Sequence, residues 1–438
     1  MTNLKQLWNF FASVKLAIFT LCALAITSII GTVIPQGESA SFYAQQYGVK
    51  VSQFIQILDI PEMYYSWWFL SLLFILSLNL LICSIERFPR VWKIIQTDNL
   101  EISPEKIGKM GNSKEWQIPA EDMQKIEPTV LFKIFGITPQ SKTLENGILY
   151  FGQKGKYSRT GVYLVHLSIL VIFVGAIIGS QFGSKGSVMV PELKSTKTFF
   201  SAKNSSSIDL GFEVRCDRFI IEFYDNGMPK KYQSTLTVLE NGKEILTKDI
   251  QVNRPLTYKG ITFYQSSYQG YQDFIFSIEN TKNGSSTNTI LPFQKQQNWE
   301  EADTRFGIVN AEAVGQRVTR TKLWLKNGES PAVLTWLGDN ETKVITTENN
   351  SYKVNVKQMY ATGLQVARDP GVWTVYIGCG LMLVGLYMAF FLSHRRIWLY
   401  LDNSSTKQKL VLGGSSNKNK IAFQQIFIKL EGHIEKLL

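Results

Sequence analysis

The chain has 438 residues, with 46 Lys and Arg against 35 Asp and Glu and a formal net charge of +11. Its three histidines and four cysteines form no CxxC, CxxCH or zinc-ligand spacing. This argues against a dithiol oxidoreductase, a multi-histidine metal site and covalent attachment of haem to this chain. The sequence also shows no P-loop, Rossmann fingerprint or Ser-His-Asp arrangement, which disfavours the classical kinase, dehydrogenase and hydrolase classes.

Four uninterrupted apolar blocks predict membrane-spanning helices. Each block is close to the roughly 20 residues that a helix needs to cross about 30 Å of hydrocarbon. The first block is too long for the apolar region of a signal peptide, and no small-x-small cleavage site follows it, so retention as a helix is favoured over cleavage. The predicted spans are residues 14–34, 64–85, 159–182 and 371–393.

Basic residues beside particular span ends predict the orientation of the chain. Arg87 and Arg90 follow the second span, Lys154 and Arg159 precede the third, and Arg395 follows the fourth. Because Lys and Arg accumulate in cytoplasmic loops, both termini are expected in the cytoplasm. The positive charge is thereby explained by a membrane, without nucleic acid as a partner. The expected cytoplasmic segments are 1–13, 86–158 and 394–438, and the expected extracytoplasmic segments are 35–63 and 183–370.

The cytoplasmic segments carry few structural signals. Asn146-Gly147 between apolar runs predicts a hairpin whose returning strand contains Tyr150-Phe151, so we expect a small α+β platform without a readable function. In the tail, the low-complexity stretches 403–406 and 413–419 predict a flexible joint.

The large segment 183–370 is predicted to be an all-β domain. Runs rich in β-branched and aromatic residues recur along it, and Asp225-Asn226-Gly227 and Asn241-Gly242 predict turns. Strands at this spacing are typical of a sandwich or an open barrel. The predicted strands are residues 219–223, 234–239, 261–264, 274–278, 323–325, 333–336 and 352–356.

The first candidate site residue is His166, inside the third span. An ionisable group in a span is costly and therefore suggests a function. Its neighbours at helical spacing, Tyr163, Ile169, Leu170 and Phe173, form an apolar and aromatic face. Such a face could receive one side of a porphyrin while the imidazole ligates the iron. Position alone favours the alternative, a neutral imidazole hydrogen-bonded to a neighbouring helix.

The second candidate is His394, which follows the fourth span beside Arg395, Arg396 and Trp398. Position favours a cap, because cations stabilise the C-terminus of a helix. The functional alternative is a cytoplasmic haem-uptake contact in which Arg pairs with the haem propionates. Cys216 is the one cysteine outside the predicted spans. A buried, apolar-type role is favoured for it, with a transient mixed disulfide as the alternative.

Segments across nearly the whole chain resemble the ResB family of cytochrome c biogenesis proteins (System II). The resemblance extends to the four-helix layout and to motifs at both ends of the spans. The matching segments are SVKLAIFTLCALAITSIIGTVIPQ, WWFLSLLFILSLNLLICSIERFPR, KGKYSRTGVYLVHLSIL, YDNGMPKKYQSTLTV, VNRPLTYKGITFYQSSY, TGLQVARDPG and FFLSHRRIW.

The resemblance implies a non-autonomous subunit of a haem-attaching complex of the cytochrome c haem lyase type, and leaves open whether the chain is an enzyme by itself. Such a subunit works with a ResC/CcsA-type membrane protein, which supplies a Trp-rich haem-binding motif that this chain lacks. Together they carry haem b across the membrane and promote its attachment to CxxCH in apocytochrome c. The resemblance implies that His166 ligates the haem iron with a partner histidine and that His394 contacts haem. It assigns no catalytic residue.

A rival hypothesis from another class is a scaffold or chaperone that holds the apocytochrome while the partner alone holds haem. A membrane-tethered sensor is disfavoured, because the sequence has no recognisable output domain. A thioredoxin-like thiol reductant is a further expected partner. The expected location is a bacterial cytoplasmic membrane, with a thylakoid membrane as the less favoured alternative.

Overall fold

A computed structural model describes residues 2–224, 228–403 and 407–438 of the chain. The described residues divide into two compact units, one made of Met1–Ile177 with Val372–Leu438 and the other of Ile178–Gly371. The turn predicted at residues 225–227 and most of the stretch 403–406 lie outside the described residues.

Four helices among the described residues are long and apolar enough to cross a membrane, as the sequence predicts. Their mean hydropathy lies between 1.7 and 2.5 over the most apolar windows, which contain at most two charged residues. A short helix, Thr2–Phe11, precedes the first of them. They are span one, Val14–Val33; span two, Trp67–Gln96; span three, Gly161–Phe182; and span four, Val372–Phe390.

The helix of span two is longer than the predicted membrane span, which ends at Ile85. The helix continues through Pro89 to Gln96, giving 30 residues and a length of about 45 Å. The apolar stretch ends at residue 85, but the helical backbone does not, because charged residues are good helix formers. Glu86 and Arg90 form an ion pair of 3.9 Å one turn apart on this extension.

The loop between spans one and two also contains helices that the sequence did not predict. Tyr43, Ile55 and Ile60 form a small buried cluster there, and the Tyr43 hydroxyl donates to the carbonyl oxygen of Pro35. Pieces this short carry too little periodicity to be recognised. The elements are the helices Ala40–Tyr47 and Val49–Ile57 and the 3-10 turn Ile60–Tyr65.

Residues before span three and after span four form one antiparallel five-stranded sheet, here called the five-stranded domain. Helices cover both faces of this sheet, so it has two small apolar cores. Sharing one sheet places both segments on the same side of a membrane. The strands, in spatial order, are Asn112–Pro119, Lys407–Ser416, Arg395–Asp402, Gly147–Lys154 and Gln140–Leu144, and the helices are Pro104–Gly108, Ala120–Met123, Pro128–Phe135 and Lys420–Glu435.

The tail is therefore ordered where it is described, and the flexible joint predicted at 413–419 is wrong. Gly413 and Gly414 lie in a central strand, where the space of their missing side chains is occupied by neighbours. A side-chain carbon at Gly413 would collide with Ile107, and one at Gly414 would lie 2.6 Å from the ring of Phe423. The glycines thus serve close packing. The predicted hairpin at Asn146–Gly147 is confirmed.

The second unit contains the β domain, residues 184–368. Among its described residues the all-β prediction is confirmed apart from one 3-10 turn, Glu300–Ala302. Residues 261–264 and 274–278 belong to a single strand, Ile261–Asn280, which pairs with the long strand Ser351–Arg368 across two register shifts. Both strands contribute to two apolar cores.

The β domain has a ten-stranded sheet and a four-stranded sheet. In the larger sheet, Leu256–Tyr258 pairs with Ile261–Asn280, and Glu341–Thr346 pairs with Ser351–Arg368. The other strands of the larger sheet lie in the order Ser286–Pro292, Ile261–Asn280, Ser351–Arg368, Ser184–Pro191, Ser195–Ser201, Ser207–Phe223, Pro229–Glu240, Lys243–Gln251, and those of the smaller in the order Gln296–Trp299, Thr304–Val314, Arg317–Asn327, Val333–Gly338.

Candidate functional site

His166 is half-buried in span three and contacts span two through one hydrogen bond. Its Nδ1 lies 3.0 Å from the Ser84 hydroxyl oxygen, and that hydroxyl donates its proton to the carbonyl oxygen of Leu80 at 2.7 Å. A serine hydroxyl has one proton to give, so Ser84 accepts from Nδ1–H of His166. In the neutral imidazole this places the lone pair on Nε2.

Nε2 of His166 has no hydrogen-bond partner among the described residues. A ring nitrogen left open while the other is fixed by a neighbour is the arrangement found at metal-bound histidines, because the fixed nitrogen sets the tautomer and the ring orientation. The hydrogen bond to another helix, which the packing alternative requires, is thus present. The same bond leaves Nε2, on the other side of the ring, without a partner among the described residues.

The side of His166 toward Tyr163 is aromatic. The ring of Tyr163 lies edge-on to His166 at 6.3 Å and to Phe88 of span two at 5.3 Å. On the other side, Ile169 and Phe173 pack against the apolar cluster of span two and are partly covered by it. The face that the sequence predicts for porphyrin is therefore divided, with span two over one part of it.

Small residues hold span three against span four. A side-chain carbon at Gly385 would lie 3.0 Å from the nitrogen of Val165 and 3.1 Å from the oxygen of Gly161. One at Gly378 would lie 3.1 Å from the oxygen of Ser168. Such contacts allow close backbone approach of spanning helices. In the sequence, this packing is indicated by small residues that recur every seven residues, or two helical turns, on both spans. Because this face of span three packs on span four, His166 is directed toward span two.

Span two also fixes the entrance of span one through Asn79, a residue that is almost fully buried. Its side-chain nitrogen donates to the carbonyl oxygens of Phe11 at 2.6 Å and Ser13 at 3.0 Å, where the first short helix meets span one. The thiol of Cys83 approaches the Ala12 carbonyl oxygen at 3.0 Å. Both groups bind carbonyl oxygens at the break between the two helices, where the helical hydrogen-bond pattern is interrupted, and this role is structural.

His394 is fully buried, and both of its ring nitrogens have partners. Nδ1 accepts from Nε–H of Arg159 at 3.0 Å, so Nε2 carries the proton and donates to the side-chain oxygen of Gln153 at 2.9 Å. Span four ends at Phe390, so His394 lies beyond its last turn and the predicted cap is wrong. In this arrangement neither nitrogen is open to a metal.

Burial is the main reason that the pKa of His394 is lowered to about 4, and the positive charges of Arg396, Arg159 and Lys156 act in the same direction. The imidazole is therefore neutral at physiological pH, as its two hydrogen bonds require. Its backbone N–H donates to the side-chain oxygen of Asn417 at 2.7 Å. His394 thus joins the chain after span four to the turn before span three.

Cys216 lies in the core of the β domain and is fully buried. Burial raises the pKa of its thiol to about 12, and the negative charges of Glu192 and Asp217 add to the effect. A thiol reacts as the thiolate, so burial and the raised pKa both disfavour reaction of this cysteine in the folded domain. The buried role favoured by the sequence agrees with this environment.

Among the described residues, no group of three or more His, Cys, Asp or Glu side chains could hold a metal ion. Of the two histidines that the sequence singles out, His166 has a ring nitrogen without a partner among the described residues, whereas both ring nitrogens of His394 are engaged. Sequence reasoning found His166 from its ionisable character, and missed Ser84, whose contact spans 82 residues of sequence.

Comparisons with known proteins agree with this architecture. A model of the ResB-like family matches residues 14–352 and 304–428. A cytochrome c biogenesis protein CcsB of Microcystis aeruginosa is 30% identical over 445 residues, covering 95% of this chain and 92% of the relative. A protein of the same name in Trichormus variabilis is 30% identical, with 95% and 90% covered, and the cytochrome c biogenesis protein Ccs1 of Pyropia yezoensis is 27% identical, with 97% and 94% covered. The chain belongs to the ResB-like family.

Proposed function

We propose that this chain is a membrane subunit of a System II cytochrome c synthase that binds haem b, its transient substrate, through Nε2 of His166. Support comes from the relatives, which carry the name cytochrome c biogenesis protein. It also comes from chemistry, because haem iron accepts a neutral imidazole nitrogen as an axial ligand. The observation that carries the proposal is the Nδ1 hydrogen bond to Ser84, which fixes the tautomer and leaves Nε2 open.

A ResC/CcsA-type membrane protein is the proposed partner and the source of the second axial ligand, since His394 is engaged on both nitrogens. His394 then acts indirectly on haem, by fixing Gln153 and Arg159. The complex transfers haem across the membrane and attaches it to CxxCH of apocytochrome c. Because Cys216 is buried, reduction of the apocytochrome cysteines is left to a separate thioredoxin-like protein.

The proposed orientation has the five-stranded domain in the cytoplasm and the β domain outside. Lys and Arg beside the ends of spans two, three and four support this assignment. The shared sheet supports a common side for the segments before span three and after span four. The membrane proposed is a bacterial cytoplasmic membrane, with a thylakoid as the alternative suggested by the cyanobacterial and algal relatives.

The test is co-purification of the chain with a CcsA-type partner, followed by absorption spectroscopy of the bound haem. We expect His166→Ala to lose most of the haem or to shift its spectrum to that of a five-coordinate iron, because one axial ligand is removed. His166→Gly should regain the spectrum when imidazole is added. His433→Ala, which changes a histidine of the helix Lys420–Glu435, is the matched control and should behave as wild type.

An unchanged haem spectrum and unchanged occupancy in His166→Ala would sink the ligand proposal. If cytochrome c assembly also continued normally, the chain would act as a scaffold for the apocytochrome while the partner alone holds haem. Retained partner binding in the variant shows that the result is not due to misfolding.

A further inference from the structure

A cleft of about 590 Å³ lies in the first unit, between the last turns of span two and the strand Gly147–Lys154. Its size is within the range of pockets that take drug-sized ligands. The walls combine flat rings with amides and one cation. The lining includes Trp92, Asn99, Phe151, Gln153, Lys156 and Tyr157.

One cation, Lys156, lines this cleft, and Arg396 and Arg159 are linked to it through its lining residues; none of the three has an acidic partner in the described part of the chain. Lys156, Arg159 and Arg396 have no carboxylate within 4 Å among the described residues. Lys156 lines the cleft and lies 5.0 Å from the ring centre of Tyr157. Arg396 donates to the side-chain oxygen of Asn99, a lining residue, at 3.3 Å. Unpaired cations so close together repel each other, and an anionic ligand would relieve this.

His394 links the third cation to the cleft. Arg159 donates to Nδ1 of His394, and Nε2–H of His394 donates to Gln153, whose amide lines the cleft. Asp98 is an acidic lining residue, and one of its oxygens accepts the backbone N–H of Leu100 at 2.9 Å. The lining itself thus holds one cation and one anion, and Arg396, which contacts the lining residue Asn99, adds a further positive charge.

The cleft is connected to His166 by a continuous series of rings. Trp92 lines the cleft and stacks on Phe88 at 5.6 Å. Phe88 contacts Tyr163 at 5.3 Å, and Tyr163 contacts His166 at 6.3 Å. Phe88 and Trp92 are both more than a third exposed, so each offers ring surface to a flat aromatic ligand.

We propose that this cleft is a second binding site, which receives a porphyrin dicarboxylate through its rings and cations before the macrocycle reaches His166. Trp92 and Tyr157 would stack on the ring, and Lys156 and Arg396 would pair with the carboxylates by charge-assisted hydrogen bonds. The identity of the ligand rests on the proposed function, whereas the site rests on the cleft itself. The competing occupant is an anionic lipid headgroup, which would use the cations but not the stacked rings.

The test uses the full chain in nanodiscs of zwitterionic lipid, titrated with metal-free protoporphyrin IX and followed by porphyrin fluorescence, with protein-free nanodiscs as the blank. Without iron, binding does not depend on axial ligation. We expect Lys156→Gln and Trp92→Ala each to weaken binding about tenfold, the effect of losing one charged or stacking contact. Trp92→Phe keeps a ring and should bind nearly as wild type. Lys142→Gln, an exposed lysine of the same sheet, is the matched control.

Two results would overturn the site. One is equal affinity for protoporphyrin IX and its dimethyl ester, together with no effect of Lys156→Gln. The other is loss of porphyrin binding when phosphatidylglycerol is added to the nanodiscs, which would assign the cleft to a lipid headgroup. If protoporphyrin binds the cleft as expected but the haem spectrum is unchanged in His166→Ala, only the proposal that His166 ligates iron is refuted. If His166→Ala changes the haem spectrum but the cleft does not bind protoporphyrin, only the cleft proposal is refuted.

Discussion

The hydrogen bond between Ser84 and His166 predicts that Ser84→Ala weakens haem binding without removing the ligand. The substitution deletes the acceptor 3.0 Å from Nδ1, and the imidazole is then free to rotate or to adopt the other tautomer. Loss of such a partner typically costs 10–100-fold in metal affinity, or about 1.4 to 2.8 kcal/mol. Ser84→Thr retains a hydroxyl and should bind as wild type.

The assay is haem retention by the partner complex during graded washing, with the absorption spectrum of the residual haem recorded. Ser77→Ala is the control. The Ser77 hydroxyl also donates to a carbonyl oxygen one turn earlier, that of Leu73 at 2.8 Å, but among the described residues it makes no hydrogen bond to a histidine. We expect lower occupancy in Ser84→Ala with a six-coordinate spectrum in the haem that remains. Equal retention in Ser84→Ala and Ser77→Ala would refute the view that this contact prepares His166 for iron.

Three further predictions concern the rest of the chain. Cys216→Ala should leave cytochrome c assembly intact, as measured by haem staining of the product, because its thiol is buried; a loss of assembly in a correctly folded variant would restore the mixed-disulfide hypothesis. Lys357→Met should lower the free energy of unfolding of the β domain by about 3–5 kcal/mol in a thermal denaturation experiment, because Lys357 is the ion-pair partner of the buried carboxylate of Glu192. Exposed Lys353→Met is its control, and equal melting of the two variants would contradict this account. The lowered pKa of His394 means that the unfolded chain binds a proton near its ordinary pKa of 6.5, whereas the folded chain binds one only near pH 4. Stability should therefore fall by about 3 kcal/mol as the pH drops from 6.5 to 4, and His394→Gln should flatten this part of the curve.

The spans and the β domain could be predicted from the sequence because each rests on a long or repeated pattern. An apolar stretch of about 20 residues has few structural alternatives. The end of the helix of span two could not be predicted in this way. The charged residues after Ile85 end the apolar stretch, but they do not end the helix, which continues to Gln96. The ordered tail was missed because Gly413 and Gly414 are typical of flexible segments, and only the positions of Ile107 and Phe423 show that they make room for side chains.

The candidate site was predictable in part for a similar reason. His166 is conspicuous as an ionisable residue in an apolar span, which marked it as a candidate, although its position favoured a packing role. Its partner Ser84 is one of several span serines, and the choice among them depends on how spans two and three pack. The environment of His394 depends on Gln153 and Arg159, which are more than 230 residues away in sequence. Such long-range contacts leave no local pattern.

The most direct test of the account is electron paramagnetic resonance of ferric haem in the complex of this chain with a CcsA-type partner. We expect a low-spin signal from two axial nitrogens in wild type, a high-spin signal in His166→Gly, and return of the low-spin signal on addition of imidazole. A low-spin signal of the same g-values in His166→Gly without imidazole would show that this imidazole does not bind the iron.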